Sequence, residues 1–376
     1  MPLATALVSG NEPTPELAVA AVEQALGKSG FAHATGVLLF LTPEFARHAQ
    51  EIVTAAARRT RCLQIAGGIA SGVFTETGWA IDRPAAAAMI LGDGFSLGYP
   101  DSALEPILSY AGGTVPEIWS YSGRRFGGVF GSTFAVRAAD ANAVVWQQAR
   151  LAGEGGCSVQ MHGAHIDIGV SRGWRRLGET QAIERCQGYE VLQLGGKPAL
   201  RSLTEALPEA FRRDPSRHLH QIIALIAESA ATGSETAYHP AAIISANADG
   251  TLTLAERIEP GRRLAWAIRL PETAESDMRR SIDALAERQK ASGQSPVGAL
   301  MFSCIGRSPF FYGGEDRDLK AFTERFPDLP LIGVYGTGQI APLGDRPGAG
   351  NGQFQNSVVT ALISPQQERQ ESENVV

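Results

Sequence analysis

Few cysteines, no basic excess and no long apolar run set the first limits on this chain of 376 residues. Its four cysteines, Cys62, Cys157, Cys186 and Cys304, are scattered and form no CxxC pair. That spacing excludes a zinc framework and a dense disulfide scaffold, and it suits a reducing compartment. Lys and Arg total 33 against 39 Asp and Glu, a formal net charge of −6, so there is no basic footprint for nucleic acid. The most apolar stretches, 36–41 and 84–91, fall far short of the ~20 residues a membrane helix needs. Residues 1–14 lack the charged and apolar regions of a secretory signal. The expectation is a cytoplasmic chain with neither a membrane nor a nucleic acid as partner.

The common catalytic and cofactor motifs are missing too. There is no GxxxxGK[ST] loop, no GxGxxG after a strand, no HExxH and no CxxCH. Ser71 lies in Gly-Ile-Ala-Ser-Gly, which has the wrong spacing for a nucleophile elbow. His162 and His165 would share a helix face with Cys157 nearby, but Gly156 and Gly163 point to a loop and no metal is expected.

What the chain does have is an ordinary globular balance, with 44% hydrophobic and 19% charged residues, and an abundance of glycine, 42 in all. The length suits roughly two domains. Helices are expected over Pro13–Gly27 and from Pro43 to about Arg59, each with Thr before a first-turn Pro. Further helices are expected at 202–211, Leu219–Ala230, 271–291 and 315–326. Strands are expected at 37–41, Cys62–Ala66, 86–91, Ser132–Val136, 164–170, 241–247, 251–255, 264–269, 297–304, 331–335 and 357–364. This alternation is α/β or mixed α+β.

Two segments look alike. The first runs GVLLFL (36–41), helix, CLQIAGGIASGVF (62–74) and AAAAMIL (85–91). The second runs GALMFS (298–303), helix, LPLIGVYGTGQI (329–340) and SVVTALI (357–363). Gly36 aligns with Gly298, Gly67 with Gly333 and Gly72 with Gly338. A duplicated unit is the inference, with two related sheet-plus-helix halves about a pseudo-two-fold axis in a layered α/β sandwich. The loops 67–72 and 333–338 would then face one another across a cleft.

The densest cassette is Ser303-Cys304-Ile305-Gly306-Arg307-Ser308-Pro309-Phe310-Phe311-Tyr312-Gly313-Gly314-Glu315-Asp316. A strand ends at Cys304, a turn presents Arg307, and Glu315 and Asp316 complement a helix dipole. Arg307 is either a bidentate clamp for a carboxylate or a salt-bridge partner. Cys304 is either reactive or a buried small hydrophobe.

FSCIGRSPFFYGGEDRD (302–318), LPLIGVYGTGQIAPLG (329–344) and QNSVVTALIS (355–364) resemble the FIST family, named for F-box and intracellular signal transduction. IAGGIASGVFTETGW (65–79) looks like that family's N-terminal glycine loop, and 173–203 like its middle segment. The resemblance implies an N-terminal domain over 1–200 and a C-terminal domain over 201–376, with a frayed tail near 365–376. It implies a sensory module for small, amino-acid-like ligands in bacterial signalling. Some members resemble haem-binding nitric-oxide sensors acting on a histidine kinase. No F-box-like extension precedes the domain, so no ubiquitin-ligase role is expected. Many relatives carry Glu where this chain has Gln339, and an amide does not titrate.

The expected ligand set is Ser71, Thr75, Glu76, Cys304, Arg307, Tyr312, Tyr335, Thr337 and Gln339, with no nucleophile–base pair and no catalytic residue. Haem would fall to His162, His165 or His220, and an enzyme would use Cys304 or Ser71. Otherwise no cofactor is expected. With no output domain in the chain, the signal would pass to a histidine kinase or another signalling protein, or through a homodimer.

Overall fold

The computed structural model describes residues 2–102, 105–131, 144–152, 156–227, 238–344, 346 and 348–366. By contact it divides into two compact units, Met1–Arg172 joined to Met278–Val376, and Gly173–Asp277. Compactness therefore cuts the chain elsewhere than the boundary near residue 200 that the resemblance implies.

The first unit begins with β1 (Leu3–Ser9), α1 (Pro15–Ser29), β2 (Gly36–Leu41), a helical turn at Pro43–His48, α2 (Ala49–Thr60) and β3 (Ile65–Ile69). The hairpin β4 (Gly72–Thr75) and β5 (Gly78–Ile81) follows, then β6 (Ala85–Leu91). Next come β7 (Ser96–Gly98), β8 (Ile107–Ala111), a turn at Glu117–Ser120, β9 (Arg125–Val129), the hairpin β10 (Val145–Gln147) and β11 (Arg150–Leu151), β12 (Gly156–His162) and β13 (Ala164–Ser171).

The second unit holds β14 (Arg175–Gln187), β15 (Glu190–Leu194), β16 (Lys197–Pro198), α3 (Ala199–Ala206), α4 (Glu209–Arg212), β17 (Ile222–Ala227), β18 (Tyr238–Ala246), β19 (Leu252–Leu254) and β20 (Arg263–Ile268). α5 (Pro271–Ala291) leads back to β21 (Gly298–Cys304), α6 (Arg317–Arg325), β22 (Leu331–Gly336), the hairpin β23 (Gly338–Pro342) and β24 (Asn351–Phe354), and β25 (Val358–Pro365).

The first unit repeats one strand order three times. Its sheets run β1-β6-β2-β3-β10-β11, β7-β12-β8-β9-β23-β24 and β13-β25-β21-β22-β4-β5. In each, the third and fourth strands are parallel and every other pairing is antiparallel. Each segment lends its hairpin to another segment's sheet. The two segments recognised as alike build the first and third sheets. The second sheet, from the stretch between them, has the same order without a sequence resemblance that reveals it.

Register carries the equivalence to single residues. Leu39 faces Gly67, Ser109 faces Gly127 and Met301 faces Gly333. On the far side of those glycines stand Trp146, Ile340 and Phe74. A large side chain beside a glycine is a recurrent way of holding a twisted sheet.

One core lies between all three sheets, with Leu38, Phe40, Tyr110, Phe126, Phe130, Phe302, Val334 and Val359 buried in it. α1 and α2 bury Ala21, Val22, Ile52 and Val53 on the other face of the first sheet. α5 and α6 bury Met278, Ile282, Leu285 and Phe322 on that of the third. Over the second sheet the short turn holding Trp119 forms only a small cluster.

In the second unit the strands β14-β20-β17-β18-β19-β15 close on themselves, because β14 pairs with both β20 and β15. Trp266, Leu203 and Leu252 fill the interior.

Three expectations need correction. Residues 222–227 form a strand instead of a helix, because Ile-Ile-Ala-Leu-Ile-Ala is apolar at every position and buried throughout; the helical turn is only Pro215–Gln221. The strand expected at Cys62–Ala66 starts at Ile65, because Cys62 N–H still donates to Ala57 O at the helix end. The loop expected around His162 and His165 is a pair of strands, β12 and β13, turning at Gly163 with φ +77. The strand expected at Ser132–Val136 lies outside the described residues, as do residues 367–376 of the tail. Among the described residues no helix is long and apolar enough to cross a membrane.

Candidate functional site

The three parallel strand pairs end in three equivalent loops, and these meet. Ser71 N donates to Tyr335 O at 2.9 Å, and Thr337 N donates to Val129 O at 2.8 Å. Gly131 N donates to Thr337 Oγ1 at 3.3 Å, and Ser71 Oγ reaches Gly131 O at 3.5 Å. Ser71, Gly131 and Thr337 each lie four residues beyond the glycines paired in register, Gly67, Gly127 and Gly333. The two expected glycine loops thus lie side by side, with a third loop bonded to both. Gly336 makes the approach feasible, since a Cβ there would come within 2.5 Å of the Val129 carbonyl oxygen. The hydroxyls of Ser71 and Thr337 are on half-buried residues at this junction.

Two residues past Thr337, Gln339 is fully buried, and neither its Oε1 nor its Nε2 has a hydrogen-bond partner. It pairs in register with Gly128 and Phe354 and shares a strand face with core-facing Ala341. Its equivalents beside the other two loops are Val145 and Val73, which are apolar. A buried amide with no partner costs about 1–3 kcal/mol, so it stands out from the satisfied polar groups around it.

Thr75 and Glu76 are engaged within the chain. Thr75 Oγ1 lies 2.8 Å from Thr77 Oγ1. The Glu76 carboxylate accepts from Thr5 Oγ1 at 2.7 Å and from Leu331 N at 2.9 Å.

Arg307, Tyr312 and Tyr335 enter a buried network. Arg307 Nε donates to Asp318 Oδ2 at 3.0 Å, and its Nη2 donates to Asp318 Oδ1. Arg307 Nη1 donates to Ser171 Oγ at 2.8 Å, and Nη2 reaches Tyr312 Oη at 3.2 Å. Tyr312 Oη donates to Asp318 Oδ2 at 2.9 Å, and Tyr335 Oη donates to Asp316 Oδ2. Asp316 also caps α6 by accepting from Leu319 N at 2.9 Å. The carboxylate expected for Arg307 is therefore an internal one, and the guanidinium is 0% exposed.

Two carboxylates share this one guanidinium. Burial pushes Asp318 up to about 6, with Arg307 pulling it down and Asp316 adding to the rise. Burial also raises Asp316, against the Leu319 N–H and the Tyr335 hydroxyl. Burial raises both phenols as well. The cluster can hold or release a proton. Sequence reasoning missed Asp318, Asp316 as a buried acid, Ser171 and Gly131. The Asp-Arg-Asp run after Glu315 was the available signal.

Cys304 is buried, and its N–H donates to Ser357 O. The residues present do not fit a haem site, because none of the seven histidines is buried. His239 lines a cleft but is paired with Glu256. Among the described residues, no three His, Cys, Asp or Glu side chains gather as metal ligands would.

Residues 199–342 match the model of the FIST C domain. The chain carries a FIST C domain. Cys304, Arg307, Tyr312, Tyr335, Thr337 and Gln339 fall inside the matched stretch, and Ser71, Thr75 and Glu76 outside it. The FIST domain is associated with sensing in signal transduction. An uncharacterized protein of Mycobacterium tuberculosis is 28% identical over 189 residues, 49% of this chain and 48% of its own length. An uncharacterized protein of Mycobacterium bovis is 26% identical over 181 residues, 47% of this chain and 46% of its own. The matched stretch thus spans about half the length of each curated relative.

Proposed function

We propose that this FIST C domain protein is a non-catalytic cytoplasmic sensor that binds a small, polar, amino-acid-like molecule where the three loops converge. The observation that carries the reading is Gln339, a buried amide with two free hydrogen-bonding atoms, two residues along the chain from Thr337 at the loop junction. An amide and the two hydroxyls of Ser71 and Thr337 offer donors and acceptors without a charge, which suits a zwitterionic or neutral polar ligand. Tyr335 positions the Ser71 loop through its carbonyl and is itself held by its hydroxyl on Asp316. Thr75, Glu76 and Cys304 act as supports and do not touch the ligand. The occupied state would then be passed to a histidine kinase or another signalling protein, or through a homodimer.

A thermal-shift screen of amino acids and organic acids at millimolar concentration tests this. The expected result is a rise in Tm with at least one of them, abolished in Ser71→Ala and Thr337→Val. A screen with no shift for any compound overturns it.

A further inference from the structure

A second cleft lies at the other end of β3 from the loop junction. It has a volume of about 700 Å³, and Arg58, Arg61, Leu63, Gln148, Ala149 and Arg150 are among the residues that line it. No acidic residue is among them. Arg58 comes from the last turn of α2, Arg61 from its C-cap, and Arg150 from the β10–β11 hairpin. Among the described residues none of the three forms an ion pair, whereas neighbouring Arg59 is paired with Glu23.

The backbone singles out the same place. Among the described residues seven non-glycine residues have positive φ: Arg61, Asp82, Asp93, Gln148, Ala149, Asp328 and Asn356. Four are Asp or Asn, which tolerate that conformation. The other three, Arg61 at φ 53, Gln148 at φ 51 and Ala149 at φ 56, all line this cleft. Glycine is the usual residue at such a helix end and hairpin turn, as at Gly30 after α1. Strain retained for particular side chains is a mark of a functional site.

The fold does not require an arginine at the hairpin, since the position equivalent to Arg150 in the third sheet is Gly78. In the third sheet the turn position equivalent to Gln148 is Glu76, whose carboxylate closes onto Leu331 N. In the first sheet Gln148 Oε1 accepts from Tyr99 Oη at 2.7 Å, which leaves its amide N–H groups for a ligand.

We infer that this cleft binds an organic polyphosphate. Arg58, Arg61 and Arg150 would clamp the phosphate oxygens, and Ala57, Ala149 and Leu63 would take the apolar body. The site does not depend on the loop junction and can fail separately from it.

Calorimetric titration of the full chain at low ionic strength, with ATP, inorganic pyrophosphate and citrate as probes, tests the assignment. ATP is expected to bind with a Kd below ~1 mM, more tightly than citrate and more weakly as salt is added. Arg61→Gln and Arg150→Gln should each weaken ATP binding about tenfold at unchanged Tm. The salt dependence of the native chain serves as evidence if a variant misfolds. No ATP binding at millimolar concentration, binding indifferent to salt and to both substitutions, or citrate binding as tightly as ATP would overturn it.

Discussion

Gly67 and Leu39 stand opposite one another in β3 and β2, so close that a Cβ on the glycine would overlap the leucine carbonyl oxygen. Gly127 stands in the same way against Ser109. Gly67→Ala and Gly127→Ala should therefore each cost about 3 kcal/mol or more, through backbone strain and a forced separation of the parallel pair. Gly188 also has positive φ, but nothing lies within 4 Å of its Cβ position. Gly188→Ala should cost only about 1 kcal/mol. Urea unfolding midpoints of the three variants measure the difference, and equal losses would refute the explanation.

Arg307 and Asp318 form a fully buried pair, and removing one partner leaves the other charged and unpaired. Arg307→Met should cost about 3–5 kcal/mol. The double variant Arg307→Met/Asp318→Leu should lose less than the two single variants together, because neither member of the pair is left buried without the other. A double-mutant cycle from urea unfolding supplies the coupling, and additive losses would count against a paired charge.

The same cluster gives stability a pH dependence with a definite sign. Asp318 binds its proton more tightly folded, at about 6, than in an unfolded chain, where an aspartate has its ordinary value of 3.8. Its stabilising contribution is thus complete below the unfolded value and is lost as pH rises through about 6. The two values imply a loss of about 2 kcal/mol from this group between pH 4 and pH 7. Asp316→Asn leaves one carboxylate with one guanidinium and should flatten that slope. Urea unfolding at pH 4, 5, 6 and 7 compares the two chains, and parallel profiles would refute the shared-charge account.

Most of the elements around the site were legible in the sequence, because each carried its own punctuation. Thr14 with Pro15 and Thr42 with Pro43 mark helix starts, and GVLLFL and GALMF carry no polar side chain, as suits strands buried on both faces. The third copy of the sheet was not legible. Between β7 and β9 the described residues form no long helix, and the apolar run of β8 is broken by Ser109, which is buried and accepts from Arg125 Nη1. The helix expected at 219–230 failed for a different reason: an apolar run has no period to separate strand from helix. The site was legible as a list and not as an arrangement. Arg307 and Gln339 were both singled out, but sequence spacing could not show that one is satisfied by Asp318 and the other by nothing.

Thiol accessibility separates the sensor reading from an enzyme that uses Cys304. Cys62, Cys157 and Cys304 are buried, and only Cys186 is partly exposed. Burial pushes the Cys157 thiol up to about 12, although its hydrogen bond with Tyr110 acts the other way. Native protein at pH 8 should therefore label rapidly at Cys186 alone, with the other three reacting only on unfolding. Mass-spectrometric mapping after brief labelling reads this directly, and early modification of Cys304 would favour a reactive thiol.

Gln339 allows stability and binding to be pulled apart. Its buried amide has no hydrogen-bond partner, so Gln339→Leu removes a desolvated polar group and keeps most of the volume. The fold should gain about 1–2 kcal/mol, read as a rise in Tm without ligand. Gln339→Glu would place a carboxyl in the same unsatisfied position and should lower stability more at pH 8 than at pH 5, because burial favours its protonated form. If the amide is a ligand contact, the stabilised Leu variant should also lose the Tm response to whichever amino acid or organic acid shifts the native chain. A Leu variant that is less stable than the native chain would mean that Gln339 is satisfied in solution, by water or by a neighbour. A Leu variant that is more stable and still responds to the ligand would remove Gln339 from the binding site.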